Sequence, residues 1–145
     1  MIKSRLIHRQ TGSLDFELWH FSGSGGVAGS WAEVVKPSSL HVILNDKGEG
    51  LVLAATRFAS ESGHDFLVLV IPIASVENIF GPVGPLMKKS LGILRRWSDR
   101  EVGMSADLLF PPVKVGAERA WYLAKTLEIL SLHLFRQPDQ EPRFF

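Results

Sequence analysis

The chain has 145 residues, of which 46% are hydrophobic and 21% charged, with 13 Gly, 8 Pro and no Cys. That composition describes one globular domain spanning residues 1–145 and excludes collagen, coiled coil and intrinsic disorder. A net charge of +1, from 16 Lys and Arg against 15 Asp and Glu, lacks the basic excess that drives counterion-release binding, so no nucleic-acid partner is expected. The missing thiols remove zinc ribbons, thiolate catalysis and redox switching.

The first ten residues, Met1 to Gln10, carry Lys3, Arg5 and Arg9 without the apolar run of ~7–15 residues that a secretory signal needs, and read as mature protein. Leu14, Phe16 and Leu18 then alternate with Asp15 and Glu17. This period of two predicts a half-buried strand with its carboxylates toward water, and strict alternation places His20 on the apolar side. Four glycines between Gly23 and Gly29 follow and predict a flexible hairpin connection. Trp31 to Val35 reads as a short extended segment, stopped at Pro37.

The β-rich runs Leu40–Leu44 and Leu51–Phe58 flank Asn45–Gly50, whose turn chemistry predicts a hairpin. Phe66 to Ile71 is continuously apolar, as in a central strand buried on both faces, and Pro72 ends or bulges that strand before Ala74 to Phe80. The longest apolar stretch, Phe66 to Val76, falls short of the ~18 residues of a membrane span. A cytoplasmic location is therefore expected.

After the break at Gly81–Pro85, Leu86, Met87, Ser90, Leu91, Leu94 and Trp97 recur at helical spacing, with Lys88, Lys89, Arg95 and Arg96 beside them. The pattern predicts a basic helix from Pro85 to Trp97, with Gly92 costing about 1 kcal/mol in its interior. Ala106 to Phe110 reads as a short strand ended by Pro111 and Pro112. A long helix from Ala117 to Gln137 is predicted from Ala120, Leu123, Leu127, Leu130 and Leu134, with Ile129 and Leu132 outside that seam and free to meet a second copy of the chain. Strands first and helices later, without regular alternation, indicate an α+β fold: a curved, mostly antiparallel sheet of about five to seven strands with the long helix packed on it.

The segment Gly48–Phe58 and the segment Val70–Ile79, with its Ile71-Pro72-Ile73, resemble the strand pairs of GRAM and bacterial pleckstrin-homology-like domains. The chain departs from that pattern at Ala54-Ala55 and in the stretch from Gly81 to Gly103. The resemblance implies that the last helix plugs one end of the sheet, and that the chain binds a protein, peptide or lipid without catalysis.

Chemistry-bearing motifs are sparse. The glycine loop lacks both the dinucleotide spacing and a Gly-Lys-Ser/Thr. No Gly-x-Ser-x-Gly elbow is present. His8, His20, His41, His64 and His133 share no metal-ligand spacing, so neither a metal nor another cofactor is expected. An enzymatic alternative, a small hydrolase, would have to use His20 or His64 with a nearby carboxylate. The basic segment remains the candidate contact surface: Lys88, Lys89, Arg95 and Arg96 would steer an anionic partner, with Trp97 seated at the interface. The expected partner is a protein or an anionic lipid surface, the protein case including a dedicated inhibitor, immunity or adaptor role.

Overall fold

The structure is a computed structural model that describes residues 2–23, 28–45, 49–53, 65–85, 94–96 and 104–134. Six strands form one antiparallel sheet: β1 (Lys3–Gln10), β2 (Phe16–Ser22), β3 (Ser39–Asn45), β4 (Glu49–Leu53), β5 (Phe66–Pro72) and β6 (Leu94–Arg96), in the spatial order β1-β2-β5-β3-β4-β6. The helices are α1 (Ala28–Val34), α2 (Ile73–Phe80), α3 (Met104–Leu109) and α4 (Glu118–Leu134), the last preceded by a 3-10 turn at Val115–Ala117. The fold is α+β, with the antiparallel sheet and the long C-terminal helix that the sequence predicts. Among the described residues no helix is long and apolar enough to cross a membrane.

β5 lies between β2 and β3, and Phe66 to Ile71 are all buried. An unbroken apolar run suits a strand covered on both faces, because both sets of alternate side chains leave water. On one face Leu14, Phe16, Leu18, Leu40, Val42, Leu67, Leu69 and Ile71 meet Leu108, Tyr122, Ile129 and Leu130 from α3 and α4. On the other, Phe21, Ile43, Phe66, Val68 and Val70 meet Trp31 and Val34 of α1. The predicted hairpin is present as β3 and β4, paired from His41↔Leu53 to Leu44↔Gly50. β5 ends at Pro72, which caps α2.

Several expectations are corrected. Residues 31–34 are helical rather than extended: Trp31 and Val34 stand three apart and bury together, and Val35 donates its N–H to Trp31 O at 2.9 Å. The glycine segment therefore joins a strand to a helix and is no hairpin connection. Ala106–Leu109 belongs to α3, not to a strand, because Met104 and Leu108, one helical turn apart, are the residues that bury. The helix expected from Pro85 to Trp97 has given way by Leu94, since Leu94–Arg96 pairs with β4. Gly84 and Pro85 are helical, and residues 86–93 lie outside the described set.

On α4 the buried seam is Tyr122, Thr126, Ile129, Leu130 and Leu134, while Ala120 is exposed and Leu123 and Leu127 are half-buried. Ile129, expected outside the seam, is fully buried and offers no surface to a second copy. The polar Thr126 hides this i, i+4, i+7, i+8 stripe from a reading of apolar residues alone.

Candidate functional site

β1 and β2 pair with a register shift between Leu6 and His8, and after it Arg9 faces Glu17 and Gln10 faces Phe16. Across the sheet Glu17 also pairs with Val70, and Val70 with His41. Arg9, Glu17, Val70 and His41 thus form one cross-strand row on the α1 face. Glu17 is 8% exposed, contrary to the expectation that the carboxylates of this strand point to water. The sheet is covered on both faces, so alternation separates two interiors here instead of an interior from solvent.

A carboxylate is buried only when donors replace its water. Glu17 Oε1 accepts from Trp19 Nε1 at 3.1 Å, and Oε2 accepts from Arg9 Nε at 2.8 Å and lies 2.6 Å from Lys36 Nζ. Burial alone would raise the Glu17 carboxyl pKa. The bonds from Lys36, Trp19 and Arg9, with the charge of Lys36, outweigh it and hold the group below its ordinary value. The two cations stay open to water, with side-chain exposures of 58% for Arg9 and 47% for Lys36.

His41, fully buried on β3, fixes where Lys36 starts. Its Nε2 accepts the backbone N–H of Lys36 at 3.1 Å, which leaves the ring proton on Nδ1. The turn from Thr11 to Asp15 is pinned at three points. Gly12 N donates to Asp15 Oδ1 at 3.0 Å, Asp15 N donates to Ser75 Oγ of α2 at 3.1 Å, and Arg119 of α4 donates to Thr11 O. Behind it, His8 stacks on Tyr122 at 4.2 Å and bonds Gln10 Oε1 at 2.7 Å.

An open groove of about 130 Å³ borders these segments. Arg9, Glu17, Lys36, Thr11 and Asp15 are among its lining residues, with Val70 and Pro72, and the surface they present to it is largely apolar. The arrangement holds two cations in place by a carboxylate that they do not fully cover, so each keeps donors for an outside acceptor.

The sequence-predicted contact residues fall elsewhere. Arg95 and Arg96 sit on β6, an outer strand of the sheet, where they pair with Gly50 and Glu49. Lys88, Lys89 and Trp97 lie outside the described residues, as does His64. His20 is brought near a carboxylate: its Nε2 is 3.9 Å from Asp65 Oδ2, too far for a hydrogen bond, and has no other partner among the described residues. Burial lowers the His20 pKa, Asp65 opposes that and Arg5 adds to it. The groove does not include this pair. No group of three His, Asp or Glu that could hold a metal occurs among the described residues.

Comparison of the chain with protein-family models, with curated proteins and with solved structures gives no match.

Proposed function

We propose that the chain is a non-catalytic recognition module that engages an anionic group on a partner protein or on a membrane surface. The observation that carries this reading is the clamp at Glu17, which orders Arg9 and Lys36 while leaving about half of each exposed. Ordering a long cationic side chain before binding lowers the entropy lost on binding, which is how a small site gains affinity. A catalytic carboxylate would instead need freedom to exchange a proton near neutral pH, whereas Glu17 is held ionised by three donors. The basic segment Lys88, Lys89, Arg95, Arg96 and Trp97 is the second part of the contact surface, consistent with two arginines on an outer strand. The resemblance to GRAM and pleckstrin-homology-like domains points the same way.

The test is retention of partners at low and moderate salt, comparing the natural chain with two variants. One carries Lys88, Lys89, Arg95 and Arg96 changed to Gln; the other carries Arg9→Gln and Lys36→Gln. Loss of a stoichiometric protein or of anionic-vesicle binding in either variant is expected. Unchanged retention in both would overturn the reading.

A further inference from the structure

We infer that the outer edge of β1 takes up an extended acidic segment of a partner protein as an added strand, paired along residues 3–6 and neutralised by Lys3 and Arg5. β1 stands at one end of the sheet and pairs with β2 alone. A strand in that place leaves alternate backbone N–H and C=O groups without a ladder partner, which makes it a template for another strand. Among the described residues nothing bonds to the backbone of residues 3–6 except β2. The register with β2 runs unbroken from Lys3↔Ser22 to Leu6↔Trp19 and shifts only after Leu6, so residues 3–6 are the regular length on offer. Just before them Ser30 Oγ of α1 donates to Ile2 O at 2.7 Å, which anchors the strand ahead of any encounter.

Charge selects the occupant. The chain has no acidic residue before Asp15. Lys3 and Arg5 are exposed, and their register with Ser22 and His20 puts both on the α4 side of the edge. Neither enters an ion pair among the described residues, whereas Arg9 is tied to Glu17. A second copy of the chain is the wrong partner: antiparallel self-pairing centred on Ser4 sets Lys3 opposite Arg5 of the other copy, and like charges facing each other across a ladder repel. A strand with carboxylates two residues apart meets the same two cations with the opposite sign. Ser4 and the half-buried Leu6 lie on the α1 side, so the partner residue between the two acids is small or apolar. Strand addition draws affinity from main-chain bonds and selectivity from alternate side chains, and both are available here. This edge is a surface apart from the Glu17 clamp and uses neither Arg9 nor Lys36.

The experiment titrates the full chain with the peptide acetyl-Thr-Glu-Val-Glu-Thr-amide, with its counterpart carrying Lys for both Glu, and with its backbone N-methylated form, following amide shifts and amide exchange by NMR. The acidic peptide is expected to bind saturably at about millimolar affinity, as its small size dictates. It should shift Lys3 to Leu6, slow exchange there, and lose affinity from low to moderate salt. The Lys peptide and the N-methylated peptide are each expected to bind at least tenfold more weakly, the first for want of charge and the second for want of backbone donors. Lys3→Gln with Arg5→Gln, at two exposed positions outside the core, is expected to weaken the acidic peptide about tenfold. Shifts away from β1, equal binding of either control peptide, or no saturation would overturn the inference. A concentration-dependent dimer of the natural chain that protects the same amides would overturn it in favour of a second copy. If the peptide fails while Arg9→Gln with Lys36→Gln still loses a partner, the recognition reading stands and only this edge falls.

Discussion

Glu17 shows how one residue can organise a surface that its sequence neighbours do not announce. Its carboxylate serves Trp19, Arg9 and Lys36 together, so removing it takes the acceptor from a half-buried indole N–H and releases two cations. Glu17→Ala is expected to cost about 2–3 kcal/mol in urea unfolding, the range for hydrogen bonds to charged groups. Arg9→Ala is expected to cost under about 1 kcal/mol, because an ion pair with one exposed partner is weak. Thr126 presents the opposite situation: it is fully buried on α4 and its hydroxyl has no partner among the described residues. Thr126→Val keeps the shape and removes the unsatisfied oxygen, and should stabilise the chain by about 1 kcal/mol, raising the melting temperature by a few degrees. Tyr122→Phe should do the reverse, losing about 1–2 kcal/mol, since its hydroxyl donates to Leu108 O at 2.7 Å in the buried interior.

At the scale of elements, the turn between β1 and β2 sets where Thr11 and Asp15 border the groove. Gly12 takes φ +130°, a backbone region closed to residues with a Cβ, and an added Cβ would also stand 3.2 Å from Arg119 Nη2. Gly12→Ala should cost about 1–2 kcal/mol by thermal unfolding. It should also loosen the bond from Gly12 N to Asp15, visible as a loss of amide-exchange protection at Gly12. Legibility from sequence follows element length. β5 and the β3–β4 hairpin are plain because six apolar residues, or two runs around an Asn-Asp-Lys-Gly turn, admit one reading. α1 and α3, at seven and six residues, are too short for a period of 3.6 to separate from a period of two. β1 escapes notice because its bulge at Ile7 breaks the alternation and its basic residues mask a strand whose Ile7 packs into the core. The cross-strand row of Arg9, Glu17 and His41 joins residues from three separate segments, and no local spacing in the sequence encodes it.

At the scale of the molecule, the sheet buries both faces with unequal cover, and acid should expose that inequality. α3 and α4 close one side, whereas α1 is the described helix over the other, and β2 carries one titratable group on each: Glu17 in register with Val70 on the α1 side, His20 in register with Leu67 on the other. Glu17 has a folded pKa below its ordinary value, so its contribution is complete above that value and is lost as pH falls through the depressed one. His20 is held neutral by burial, so below its ordinary value near 6.5 the unfolded chain takes the proton first and again gains on the folded one. Both groups act in the same direction. Stability should therefore fall in two stages on acidification, the first below about pH 6.5 from His20 and the second below about pH 4.5 from Glu17. Urea midpoints measured from pH 8 to 3.5 give the test, with His20→Gln expected to flatten only the first stage and Glu17→Gln only the second. A variant that flattened both would mean that the two charges are coupled through the shared strand β2 instead of acting at opposite faces of it.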